Sequence, residues 1–250
     1  MVKNRIVVQL AFCGLILGAQ AMMAGTTSLA DWCVNLNGDI NTACNGAGAG
    51  GASGNGNINL SGFDSTLEPG MNTLGTVTIT LGVGNNQFAD FYADYDLDFA
   101  TFGSFQDLAS ISGTLPAGAS YEADDPNVSN IFSDFAANSL SDANNVGNFS
   151  ASPTPCCDVS FALGFSGINV AAGGSGSVVF NITDAVPTSG FYITQTNGQV
   201  GDSIYLQGIV TVTNPVTGST PEPSTFVLGL MAAGAMLYSA KRRRASSSVR

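Results

Sequence analysis

The residues best placed to do chemistry are aspartates at alternate positions. In "NQFADFYADYDLDFATF", Asp90, Asp94, Asp96 and Asp98 alternate with Phe91, Ala93, Tyr95, Leu97 and Phe99. A period of two places each set on one face of a strand. The pattern therefore predicts a core face of Phe91, Ala93, Tyr95, Leu97 and Phe99 and a wet face of Asp90, Tyr92, Asp94, Asp96 and Asp98. Successive side chains on one face stand about 7 Å apart. The sequence offers no basic residue to offset their repulsion, so either water and salt screen the row or a cation sits within it. Asp94, Asp96 and Asp98 resemble the opening of a calcium loop, in which a hard ion gathers oxygen ligands. The loop's sixth-position Gly and twelfth-position Glu are missing here. Plain strand alternation gives the same spacing, so a calcium site and a solvated acidic face both stay open. No other cofactor is expected.

Most other catalytic vocabulary is absent. Between Ile6 and Ala240 there is no Lys, Arg or His, which removes Ser-His-Asp, Cys-His, Schiff-base and arginine-clamp arrangements. Paired carboxylates acting on a glycosidic bond remain chemically open. They would be drawn from Asp94, Asp96 and Asp98 and from "YEADD", which holds Glu122, Asp124 and Asp125. Acidic residues on strands and loops are more often a solvated surface, and the expectation is a protein that is not an enzyme. Tyr92, Tyr121 and Tyr205 are of a type that stacks on sugars, although half-buried aromatics are ordinary in sandwiches. Gly46, Gly48 and Gly51 satisfy G-x-G-x-x-G, but no strand pattern precedes them and no helix pattern follows, so the match is compositional.

The elements that must carry these residues read as strands. From Ile58 onward, runs of period two recur at "NINLSGF", "TVTITLGV", "FYADYDLDF", "LASISGTL", "CDVSFALGF", "GSVVFNIT", "GFYITQT" and "SIYLQGIVTVT", punctuated by Gly, Asn, Asp or Pro. Eight or so short strands at this spacing predict an all-β fold, an antiparallel β-sandwich of jelly-roll-like form spanning 58–214. The exception is "NVSNIFSDFAANSL" (127–140), where Ile131, Phe132 and Phe135 fall at helical spacing and predict a short helix or an irregular crossover. Residues 22–57 read as an N-terminal segment ending in the Gly-rich linker "NGAGAGGASGNGN".

The two ends differ from the body in charge. All 18 carboxylates lie between Asp31 and Glu222, while the seven basic residues are Lys3, Arg5, Lys241, Arg242, Arg243, Arg244 and Arg250. A body so anionic excludes nucleic acid as a partner, because phosphate binding rests on Lys and Arg. Lys3 and Arg5, the apolar run "IVVQLAFCGLILGA" and the small residues after it read as a secretory signal over 1–21. Cleavage after Ala21 is preferred on apolar-run length, with Ala24 and Ala30 also open. Cys13 lies inside the apolar run rather than at its end, where a lipid-attachment cysteine would stand.

Export leaves Cys33, Cys44, Cys156 and Cys157 where disulfides persist. A local Cys33–Cys44 loop is the favoured pairing, and one bond from each of these two to Cys156 or Cys157 is the alternative. Zinc is disfavoured, because there is no C-x-x-C spacing and no His.

At the other end, Pro221 and Pro223 interrupt any element continuing through the linker 215–224. Residues 225–240 are apolar and uncharged, and 241–250 open with Lys241, Arg242, Arg243 and Arg244. Sixteen helical residues rise about 24 Å, enough for a marginal transmembrane helix whose basic flank stays cytoplasmic. Pro221-Glu222-Pro223, the apolar run and the basic cluster, in that order, resemble the PEP-CTERM sorting signal of Gram-negative bacteria. The resemblance implies that Pro221, Glu222 and Pro223 are the sorting motif and that Lys241–Arg244 act as a basic stop-transfer. It also implies an exosortase partner at the inner membrane that cuts near the motif, after transient anchoring, and passes the protein to the cell surface or extracellular matrix. Within the body, "CCDVSFALGFSGINVAAGGSGSVVFNITDAVPTSGFYITQT" and "DSIYLQGIVTV" are similar to a recurrent ectodomain of that family, whose members are commonly found beside exopolysaccharide genes. That likeness implies a structural or adhesive role in biofilm or exopolysaccharide. A secreted carbohydrate-active enzyme and a calcium-dependent carbohydrate-binding module are the alternatives.

Overall fold

Alternating β-branched and aromatic residues favour extended chain, and strands with one apolar face must bury it against another sheet. The computed structural model describes residues 27–40, 44, 52–53, 56–65, 67, 74–97, 107–127, 129–146, 158–197, 202–215, 228–233 and 235–236. Over these the chain forms β1 (Thr27–Leu36), β2 (Ala52–Ser53), β3 (Gly56–Phe63), β4 (Gly75–Leu81), β5 (Gly84–Leu97) and β6 (Asp107–Ser112). There follow β7 (Ala119–Asp124), the helix α1 (Ile131–Ala136), β8 (Ala143–Asn144), β9 (Ser160–Val170), β10 (Ser175–Thr183), β11 (Tyr192–Asn197) and β12 (Ser203–Thr213). The strands make two sheets, one of five in the order β1-β5-β9-β7-β8 and one of seven in the order β2-β3-β4-β10-β12-β11-β6. Pairing is antiparallel throughout except between β7 and β8. The expected all-β class therefore holds, with a short helix inside the stretch read as helix or crossover.

The inward faces of the two sheets share one core. A ladder of rings crosses back and forth between them, with centroids 5.6 Å apart for Trp32–Phe63, 5.8 Å for Phe63–Phe91, 5.6 Å for Phe91–Phe180 and 6.0 Å for Phe165–Phe180. Pairs of this kind add about 0.5–1.5 kcal/mol each beyond the area they bury. Phe91, Ala93, Tyr95 and Leu97 point into this core, as alternation requires, while Phe99 lies outside the described residues. Polar clamps also tie the sheets at one end. Gln195 of β11 donates to the Tyr95 carbonyl of β5 and to Asp107, and Asn197 donates to the Leu97 carbonyl.

Among the described residues, the sandwich takes in a strand ahead of Ile58. β1, placed by the sequence reading in a preceding segment, pairs along β5 from Thr27↔Leu97 to Leu36↔Ala89 and buries Leu29, Trp32, Val34 and Leu36. A register shift between Leu29 and Asp31 moves the inward set from Leu29 to Trp32, a step of three that hides the period of two. Signal cleavage after Ala21 or Ala24 leaves β1 whole, whereas cleavage after Ala30 would remove the buried Leu29.

The outer face of the five-stranded sheet is also covered. Ile131 and Phe135 of α1 pack on Cys33, Tyr92 and Ala162, with the Phe135 ring 5.7 Å from that of Tyr92. The helix ends on Asn138 at φ 51°, with Asn138 N–H donating to the Phe135 carbonyl and Ser139 N–H to the Asp134 carbonyl. This is the paired bonding of a Schellman cap, in which Asn accepts the left-handed position at modest strain. Asn35 on β1 donates to the carbonyls of Phe135 and Ala136, pinning the helix end to the sheet.

Candidate functional site

The predicted wet face of β5 is largely dry. Asp90 is 0% exposed, Tyr92 3% and Asp94 9%, and Ile131 and Phe135 of α1, with Ile40 and Cys44, pack over the Tyr92 part of that face. Alternation correctly separated the two sets of side chains but could not reveal a second cover. Asp90 sits opposite Asn35 on β1 and Gly164 on β9, and no donor among the described residues reaches either of its carboxyl oxygens. Burial pushes its pKa up to about 8. Gly164 leaves the room it needs, since a Cβ there would overlap Asp90 Oδ1.

Four residues further along β5, on the same face, lies an acidic group drawn from β5 and the chain just before β9. Asp94 faces Asp31 across β1 and Ser160 across β9, and antiparallel pairing carries Asp158, just before β9, toward Asp96. One carboxylate oxygen from each of Asp94, Asp96 and Asp158 lies within 4.8 Å of the others. Burial, then the charges of Asp158 and Asp96, hold the Asp94 carboxyl up at about 8. Burial, then Asp96 and Asp125, lift Asp158 to about 6, and burial also raises Asp96. Asn127 donates to Asp158 Oδ2 over 3.3 Å, and the hydroxyls of Tyr92 and Ser160 lie 3.0 Å apart.

Of the residues singled out for calcium, Asp94 and Asp96 come together, and Asp98 lies outside the described residues. Asp158 replaces it as the third member. Sequence reasoning missed Asp158, since nothing local in "CCDVSF" discloses which residue of β5 it will face.

The other carboxylates considered for acid–base work are held by structural bonds. Glu122 accepts from Ser141 N–H at 3.0 Å, and Asp124 accepts from Asp125 N–H and from Asn145 Nδ2, both at 2.8 Å. They line an open polar groove of about 410 Å³ with Asn130 and Asp134. Asp125 caps its own turn by accepting from Asn127 N–H. Among the tyrosines considered for sugar stacking, Tyr92 is buried and Tyr121 packs on Phe191 with centroids 5.2 Å apart. Tyr205 stands on the outer face of the seven-stranded sheet, its ring 5.9 Å from that of Tyr192. Register sets Thr183 and Thr194 on either side of Tyr205, and Asn181 and Tyr192 on either side of Gln207. That face is a rank of hydroxyls and amides around an aromatic pair.

Cys33 and Cys44 are joined by a disulfide with Cα atoms 4.1 Å apart, and Cys156 and Cys157 lie outside the described residues. Pro221, Glu222, Pro223 and Lys241–Arg244 are likewise outside them. Within the apolar run, residues 228–233 and 235–236 are helical and exposed. No helix among the described residues is long and apolar enough to cross a membrane.

In sequence, a two-sheet β-sandwich without a basic residue is followed by an apolar run and a basic cluster. Residues 219–244 match the PEP-CTERM protein-sorting motif. The chain thus carries that motif, which supports exosortase-dependent processing at the membrane and sorting toward the cell surface. No curated protein and no solved structure matches the chain.

Proposed function

We propose that this is a surface or extracellular-matrix protein whose sandwich serves as a structural or adhesive component in contact with exopolysaccharide. The observation that carries the reading is the sorting motif at residues 219–244, placed after an all-β body. In this reading the signal at 1–21 starts export, residues 225–240 anchor the chain transiently in the inner membrane, and Lys241–Arg244 hold its end inside. Pro221, Glu222 and Pro223 present the tail to the exosortase. Contact with polysaccharide is assigned to the outer face of the seven-stranded sheet. There Tyr192 and Tyr205 offer ring faces beside Gln207, Asn181 and Thr183, the mixture of stacking and hydrogen bonding that sugars use.

No catalytic step belongs to this reading. Glu122 and Asp124 are engaged by backbone and amide donors.

The test is fractionation of cells producing the protein, followed by co-sedimentation with the extracted matrix polysaccharide. Wild type is expected at the surface and in the polysaccharide pellet. Alanine at Pro221, Glu222 and Pro223 should hold the protein in the inner membrane, and Tyr192→Ala with Tyr205→Ala should release it from the pellet without changing its address. Surface delivery independent of the motif would refute the sorting role, and pelleting independent of both tyrosines would refute the assigned face.

A further inference from the structure

We propose that Asp94, Asp96 and Asp158 form a divalent cation site, with calcium as the ion that fits it. The inference goes beyond the display reading and does not depend on it, since binding is a property of the sandwich alone. Three carboxylates, two from β5 and one from just before β9, present oxygens within 4.8 Å of one another, and the sequence supplies no Lys, Arg or His between Ile6 and Ala240 to compensate them. Asp31, opposite Asp94 on β1, adds to the negative field.

A second observation is independent of the clustering. Asp94 and Asp158 are only 9% and 8% exposed, yet Oδ1 of each has no donor among the described residues. The other oxygens are engaged, Asp158 Oδ2 by Asn127 and Asp94 by the Ser160 hydroxyl, and a buried carboxylate oxygen left without a donor is one a metal can satisfy.

The donor set selects the ion. All three ligands are hard oxygens, which suit calcium or magnesium rather than zinc or copper. Calcium–oxygen bonds of about 2.3–2.6 Å let two ligating oxygens stand up to about 5 Å apart, whereas a magnesium shell closes near 4.2 Å. Separations of up to 4.8 Å lie inside the calcium limit. A bound ion would tie the chain entering β9 to β5, beside the row that holds Tyr92 and Ser160.

The experiment uses the full chain in detergent, stripped with chelator and titrated with calcium chloride at constant ionic strength, with magnesium chloride in parallel. Thermal unfolding reports stabilisation, and terbium luminescence sensitised by nearby tyrosine reports occupancy directly. Melting temperature should rise with calcium, with half-saturation on the order of 0.1–1 mM, the range of extracellular calcium modules. Magnesium should leave it unchanged. Asp96→Asn and Asp158→Asn should each weaken binding by about tenfold or more, while Asp184→Asn, exposed and outside the group, should bind as wild type does. No calcium-specific rise up to about 10 mM overturns the proposal, as does wild-type affinity in Asp96→Asn and Asp158→Asn. If a variant does not fold, the wild-type titration alone decides.

Discussion

Asp90 shows most clearly how one residue can set the behaviour of the fold. It has no donor among the described residues, and the groups facing it are the Asn35 amide on β1, Gly164 on β9 and the end of α1 held by Asn35. With its pKa pushed from 3.8 to about 8 by burial, the folded state keeps a proton that the unfolded chain gives up. The stabilising effect is complete below pH 3.8 and is lost as pH rises through about 8. Asp107, raised to about 7 by burial against the bonds from Gln195 and Leu97, acts in the same direction. Chelated protein should therefore melt at a higher temperature at pH 5 than at pH 8, and Asp90→Asn should flatten that slope by as much as about 1.4 kcal/mol per pH unit. Melts of the two proteins across that range check it. Gly164→Ala should cost about 1–3 kcal/mol through overlap with Asp90, read from denaturant midpoints. At this scale the sequence disclosed which residues of β5 share a face and which of them enter the core. It did not disclose that the acidic face is covered, because the covering carbonyl of Phe135 lies 100 positions from Asn35.

The elements most easily read were those whose alternation runs unbroken, such as β10 and β12, which pair from Ser175↔Thr213 to Thr183↔Tyr205. β1 is hard to read because its register shift breaks the alternation, and β7 because its six residues, ASYEAD, carry small and acidic side chains in place of an apolar face. The meeting of Asp158 with Asp94 and Asp96 depends on the pairing of β5 with β9, and no short-range pattern encodes that register. The Cys33–Cys44 bond closes a loop of sequence separation 11 along the edge strand beneath α1. Chain-entropy reasoning gives it about 3 kcal/mol. Replacing both cysteines with serine should therefore lower the melting temperature by roughly 6–12 °C for a domain of this size, and an unchanged melt would show that the bond does not hold this edge. Between the sheets, Gly208 lets Phe165 pass, as a Cβ there would stand 2.5 Å from the Phe165 ring. Gly208→Ala should cost about 1–3 kcal/mol, measured by denaturant unfolding.

For the whole molecule, the governing feature is the separation of charge along the chain. Basic residues stand only before Ile6 and after Ala240, and the 18 carboxylates stand between, which favours both ends remaining cytoplasmic while the sandwich is threaded outward. The motif at residues 219–244 supports sorting toward the cell surface. The intact mass of the protein recovered from the cell surface or surrounding matrix tests this most directly. A product shorter than 250 residues at both ends, starting after Ala21 or Ala24, ending near Pro221–Pro223 and gaining mass on reduction of its disulfide, is the predicted result. A chain of full length found in the cytosol, with Cys33 and Cys44 reduced, would contradict it.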